Sequence, residues 1–245
     1  MEHLIVSYKT DQCDCKGYLA FDPRNKEKRP GVLVAHAWQG QDDFARKKAF
    51  ELAELGYVAF AVDMFGDGKF ATTDEEASAL ITPFLEDRVL MQTRIVAAYN
   101  VLKEHALVDA SKIGAIGFCF GGLTVLELAR AGVDICAVVT FHGVFSDKGA
   151  KLGKREIKEN TGVLILNGYE DPLVAQEDLA DLQKELTTAK ADWEVVNYGH
   201  TSHAFTNQKA NGSTKGLIFN SKSAKRSWLA MKNFFRELLE SKEKE

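Results

Sequence analysis

Three side chains in this sequence could together make and break an acyl bond: the thiol of Cys119, the imidazole of His203 and the carboxylate of Asp171. A thiolate is a strong nucleophile. An imidazole can take the thiol proton and later activate water, and a carboxylate can hold that imidazole in one tautomer and stabilise its cation. Cys119 stands in Gly117-Phe118-Cys119-Phe120-Gly121-Gly122, between an apolar run, Ile113-Gly114-Ala115-Ile116, and a helix-like run over 123–130. A cysteine between glycines at a strand-to-helix turn is how a nucleophile is held in a sharp bend, because a Cβ at the flanking positions would clash where backbone segments come close. A helix starting there directs its free N–H groups and positive dipole end at the sulfur, which favours thiolate. The same six residues also read as a buried cysteine in a glycine-rich turn, so the rest of the chain has to decide.

The other two groups each have rivals. Asp171 follows the apolar run 162–166 and precedes Pro172, where it could simply cap the next helix; Glu170 beside it is an alternative acid. His203 shares its loop with His200, and their i, i+3 spacing could suggest a metal, but no third and fourth ligands stand nearby. His36 and His142 follow the apolar runs 31–35 and 136–141 and are candidates to line the same pocket; His3 and His105 have no such placement. Cys119, Asp171 and His203 follow strands in the order nucleophile, acid, histidine, which is the chain order of the α/β-hydrolase arrangement. The tetrahedral oxyanion then needs two backbone donors: Phe120 N–H at the start of its helix, and Trp38 N–H in the loop after the third strand. Cys13 and Cys15, two apart, face one side of a strand and read as structural.

These residues need strands that end at one edge. Residues 3–8 and 13–21 read as an N-terminal hairpin around the polar turn 9–12. Short apolar strands then alternate with helical runs: strands at 31–35, 57–62, 112–118, 136–141, 162–166 and 193–198, and helices at 42–55, from 73 until Pro83 interrupts, 84–104, 176–188 and 223–239. The tail 241–245 reads as fraying. This pattern predicts a mostly parallel central sheet with the antiparallel hairpin at its start and helices on both faces, with residues 1–245 as one domain. The Lys-rich stretch 146–160 reads as a solvated loop or short helix, with an anion-attracting lid as the alternative.

The 245 residues are 45% apolar, enough for a substantial core, and the net charge of −4 does not suggest nucleic acid. No apolar run reaches the ~18 residues of a membrane span. The start of the chain lacks the basic and long apolar regions of a secretory signal, and the four cysteines form no disulfide framework, so the expectation is a cytoplasmic protein. No long apolar surface stretch stands out, so the expected state is a monomer.

With these residues in place the chain resembles the dienelactone hydrolase family. Gly117-Phe118-Cys119-Phe120-Gly121-Gly122 is similar to that family's G-x-C-x-G-G elbow. Glu170-Asp171 after Leu166-Asn167-Gly168 matches its acid loop, Ser202-His203-Ala204-Phe205 its histidine loop and His36-Ala37-Trp38-Gln39-Gly40 its oxyanion loop. The resemblance implies an α/β-hydrolase fold, Asp171 as acid, His203 as base, Trp38 N–H as the second oxyanion donor, and cleavage of small-molecule esters or lactones without cofactor. Three positions depart. Ala37 stands where members acting on dienelactone carry a glutamate that engages the cysteine, so His36 or the helix end must keep the thiol reactive. Thr206-Asn207-Gln208 stands where those members place a carboxylate-binding arginine. Residues 74–83 contain no second arginine, although Arg88 and Arg94 follow. These departures argue against dienelactone itself as substrate. The competing readings are a non-catalytic small-molecule binding protein on the same fold and a glutamine amidotransferase; the latter pairs its cysteine with a late His-x-Glu, where this chain has His203-Ala204-Phe205.

Overall fold

Side-chain alternation along short apolar runs sets the architecture. The computed structural model describes residues 1–10, 13–214 and 216–240. In chain order its elements are β1 (Glu2–Lys9), β2 (Asp14–Phe21), β3 (Arg29–Ala35), α1 (Asp43–Glu54), β4 (Val58–Ala61), α2 (Asp74–Glu86), α3 (Arg88–Lys103), β5 (Val108–Phe118), α4 (Phe120–Arg130), β6 (Ala137–Phe141), β7 (Gly162–Gly168), α5 (Gln176–Thr188), β8 (Asp192–Tyr198) and α6 (Ser221–Leu239). The strands form one eight-stranded sheet in the order β1-β2-β4-β3-β5-β6-β7-β8. β1 and β2 pair antiparallel, β2 joins β4 antiparallel, and every later pairing is parallel.

Within each central strand, alternate residues enter two separate apolar clusters. Leu33, Ala115, Val138 and Val163 face α3, α4 and α5, while Val32, Val34, Ile116, Val139 and Leu164 face α1 and α6. Burial of both faces is why these runs are continuously apolar. Each large side chain so enclosed contributes about 1.5–3 kcal/mol. Register then places the chemistry. Ala35 of β3 lies beside Gly117 of β5, and Gly117 beside Thr140 of β6. The loops carrying His36, Cys119 and His142 therefore leave the sheet at one edge, and β7 and β8 end together at Gly168 and Tyr198.

Two local expectations shift. The break between the second and third helices falls at Asp87, not at Pro83, which lies inside α2. In the last turn a proline removes only its own N–H bond, whereas Asp87 adopts an extended backbone and its carboxylate accepts the N–H groups of Val89 and Leu90, starting α3. The fifth strand begins at Val108 rather than 112 because Arg29 pairs with Val108 ahead of the bulge between Arg29 and Gly31. The Lys-rich segment is not an anion-attracting lid, since its cations are matched by acids: Lys151 to Asp87 at 2.9 Å, Arg155 to Asp147 and Glu185, and Lys158 to Asp134. The hairpin turn falls partly on residues 11 and 12 and the tail on 241–245, outside the described residues.

The helix behind the nucleophile is anchored by charge. Arg130 and Glu127, both buried, pair at 2.8 Å, and Arg130 reaches Glu185 at 2.6 Å. Gln92 of α3 donates to the second Glu127 oxygen at 2.7 Å. Glu127→Ala would leave that guanidinium buried with only Glu185 and the more distant Asp147. The expected loss is about 3 kcal/mol, the lower end for breaking a buried pair, read as a lower urea midpoint at unchanged slope.

Candidate active site

The elbow is built by close backbone contacts that exclude side chains. A Cβ on Gly117 would lie 1.9 Å from the Gly121 carbonyl oxygen, and one on Gly121 would lie 2.2 Å from the Ala35 carbonyl oxygen. A Cβ on Gly122 would lie 2.7 Å from the Gly143 Cα. Cys119 takes φ 55° and ψ −116°, a conformation that costs a non-glycine residue of order 1–3 kcal/mol and persists only where the surroundings over-determine it. Its N–H donates to Phe141 O at 3.1 Å and its carbonyl accepts from Gly122 N–H at 2.9 Å. The side chain makes no capping bond to α4, and the thiol stands at the positive end of that helix.

The structure brings His203 and Asp171 together. His203 Nδ1 and Asp171 Oδ2 are 2.7 Å apart, and both side chains are almost wholly shut off from solvent. The other Asp171 oxygen accepts Leu173 N–H at 2.9 Å, which fixes the carboxylate in its turn. Asp171 does not cap the next helix, which starts at Gln176 after Ala175. The rival pair is sorted to the surface: His200 Nδ1 lies 3.2 Å from Glu170 Oε1, with the His200 side chain 98% exposed. His203 Nε2 is buried without a hydrogen bond, as a nitrogen that must exchange a proton should be. Burial alone would lower the His203 pKa. Cys119 and the Asp171 carboxylate outweigh it and push the value up to about 10.

Both proposed oxyanion donors border the elbow. Phe120 is the first residue of α4, so its N–H has no partner within the helix. The loop bearing Trp38 packs on the first turn of α4 through the carbonyls of Ala35 and His36, and Trp38 N–H has no backbone acceptor among the described residues.

The other two histidines have different places from those expected. His36, expected to line the pocket, is 1% exposed. Its Nε2 accepts Met64 N–H at 3.3 Å, so Nδ1 carries the hydrogen and donates to Ala37 O at 2.7 Å. With both nitrogens engaged by backbone and its pKa lowered by burial, it is a neutral brace, edge-on to Phe65 and stacked on Phe120. His142 is likewise sealed, 2% exposed, with Nε2 2.8 Å from Thr206 Oγ1. Burial, then the charge of His203, holds its pKa well below the usual value.

Arg88 and Arg94 are turned inward. Arg88 donates to Phe84 O and Ser146 O, and Arg94 to Met64 O at 2.8 Å. Sequence reasoning passed over Thr206 and Asp63. Asp63 accepts the N–H groups of Lys16, Gly66 and Gly68, each at 2.8 Å, and so shapes the loop that supports His36. The signal was the run Asp63-Met64-Phe65-Gly66-Asp67-Gly68, a carboxylate ahead of two glycines that both take positive φ. Among the described residues no three His, Cys, Asp or Glu side chains converge to hold a metal ion.

Comparison with known proteins agrees with this geometry. The profile of the Dienelactone hydrolase family matches residues 15–239. A structure named m3DLH is 35% identical and superposes with a TM-score of 0.90, covering 97% of this chain and 98% of its own. The dienelactone hydrolase-like promiscuous phosphotriesterase P91 from metagenomic libraries is 36% identical with a TM-score of 0.89, over 97% and 98% of the two chains. A carboxymethylenebutenolidase homolog of Xenopus tropicalis is 24% identical over 223 residues, 87% of this chain and 86% of its own. With a glycine-walled elbow on an eight-stranded α/β sheet and a family match over nearly its whole length, this chain belongs to the dienelactone hydrolase family and is a hydrolase of the carboxylic ester and lactone class.

Proposed function

We propose that this chain cleaves small carboxylic esters or lactones through Cys119, His203 and Asp171, by way of an acyl thioester. The observation that carries the reading is the His203 ring, fixed by Asp171 at 2.7 Å on one nitrogen, free on the other, and biased toward its cation by the neighbouring thiolate. In the first half, Cys119 Sγ attacks the acyl carbon and the carbonyl becomes an oxyanion facing Trp38 N–H and Phe120 N–H. Collapse breaks the carbon–oxygen bond as imidazolium gives its proton to the leaving alkoxide; in a lactone that alcohol stays tethered to the acyl group. In the second half, neutral His203 takes a proton from water, the hydroxide attacks the thioester, and Cys119 leaves as thiolate.

No resident cofactor enters this scheme. The four cysteines are free thiols, which suits a reducing, cytoplasmic setting. Among the described residues no helix is long and apolar enough to cross a membrane. We take residues 1–245 to act as a single, monomeric unit. P91 is described as a phosphotriesterase, so phosphotriesters belong in the substrate panel beside esters and lactones.

Two measurements test the mechanism. With p-nitrophenyl acetate and simple lactones, Cys119→Ala and His203→Ala should each lower kcat/KM about a thousandfold or more; turnover surviving in Cys119→Ala overturns the reading. The pH profile supplies a sign. With a lactone, whose alkoxide leaving group needs the imidazolium proton, activity should decline as pH rises through about 10. Asp171→Asn removes a charge that favours imidazolium, so kcat/KM measured from neutral to alkaline pH should be lower throughout and begin its decline at lower pH. A decline that stays in place would detach Asp171 from the proton transfer.

A further inference from the structure

We propose that His142, through Thr206, is a positioning residue for this reaction: an imidazole clamped between the elbow and the histidine loop that fixes where the His203 ring stands. The inference rests on the triad chemistry proposed above.

His142 is the residue immediately after β6. Its ring lies 5.1 Å from that of His203 at an interplanar angle of 67°, edge against face. On another side it meets Phe205 at 5.1 Å and 80°. It also lies 6.1 Å from Phe118, the residue before the nucleophile. The polar link is Nε2 to Thr206 Oγ1 at 2.8 Å. Thr206 lies three residues past His203 and is only half-buried, so its hydroxyl reaches back to tie the loop to the end of β6. The same strand end holds the elbow, because Phe141 O accepts Cys119 N–H. The His142 ring thus touches His203 directly, while its chain neighbour Phe141 holds Cys119.

Two further observations make this more than packing. His142 takes φ 41°, in the left-handed region that a non-glycine residue seldom enters, and its N–H is held by Leu166 O at 2.9 Å. The histidine loop turns through a second such residue, Ala204 at φ 55°. The two strained positions flank the contact between the His142 and His203 rings. His142 also adds no charge there: burial, then the His203 cation, keeps it neutral, so the positive charge beside the thiol stays on the ring that must move the proton. The groups facing it from the packed elements are His203 and, through that ring, Asp171 and Cys119. His142 itself is buried and touches no substrate.

The test uses isosteric and restoring variants. Thr206→Val removes the hydroxyl at similar volume and Thr206→Ser returns it. His142→Phe keeps a ring without nitrogens, and His142→Gln returns an amide nitrogen near the Nε2 position. With p-nitrophenyl acetate, Thr206→Val and His142→Phe should each lower kcat about tenfold or more with KM changed less than about threefold. The double variant should lose no more than the worse single one, because both cut the same link. Thr206→Ser and His142→Gln should recover most of the loss. A second readout needs no substrate: alkylation of Cys119 by iodoacetamide at neutral pH reports the imidazole-supported thiolate and should slow in the same variants. Thr206 is half-exposed, so Thr206→Val leaves folding intact even if His142→Phe does not. Wild-type kcat and alkylation rate in Thr206→Val, or losses that add in the double variant, overturn the positioning role and leave the Cys119 mechanism standing. Ester turnover that survives Cys119→Ala overturns that mechanism instead, and the alkylation rates then still decide whether His142 places the imidazole.

Discussion

The contact on which this molecule depends is backbone against backbone: the first turn of α4 lies directly on the carbonyls that end β3. Because Gly121 has no Cβ, the Ala35 and His36 carbonyls come close enough that any side chain there would overlap them. That approach forces the chain to reverse within two residues of β5, which puts Cys119 at φ 55° and leaves its sulfur standing clear of the helix. It also brings the Trp38 loop alongside Phe120. The Cys119 turn, the helix end and the placing of the Trp38 loop are thus products of one steric condition, and the sheet register between Ala35 and Gly117 sets it.

Electrostatics finishes what the sterics begin. An imidazolium buried alone would be costly, and at His203 the charge of Asp171 behind the ring and of Cys119 offsets that cost. The flanking histidines matter by carrying no charge. His36 is locked neutral between two backbone groups, and His142 is kept neutral by its burial and its neighbour. A cation at either position would compete with His203 for the thiolate. Arg88 and Arg94 bring no such charge, being bound to the main-chain carbonyls of Phe84, Ser146 and Met64.

Much of this was legible in the residues. Continuous apolar runs announced strands buried on both faces, and Gly-x-Cys-x-Gly-Gly between such a run and a helical pattern announced the elbow. The order Cys119, Asp171, His203 carried the arrangement because each follows a strand, and parallel strands bring their ends to one edge. What the sequence hid were side chains whose meaning depends on contacts far along the chain. His36 and His142 sit at strand ends just as His203 does, and only the packing of Met64 and Thr206 against their nitrogens separates a brace from a base. Pro83 misled for a related reason: a proline's effect depends on how many bonds remain in its helix, and the stronger stop was the carboxylate of Asp87. The hairpin was readable, but the partner of β2 was not. It pairs with β4, not with its sequence neighbour β3.

The seat of Gly121 on β3 has a consequence for how the reactive thiol comes into being. Ala35 and Gly121 lie far apart along the chain, and the β3–β5 pairing that joins them is a non-local parallel contact of the kind that forms slowly. Until it forms, nothing compels Cys119 into its left-handed turn, no helix end faces the sulfur, and His203 waits on a strand still further downstream. On the mechanism proposed above, the reactivity of Cys119 belongs to the completed β3–β5 pairing rather than to the six-residue motif alone.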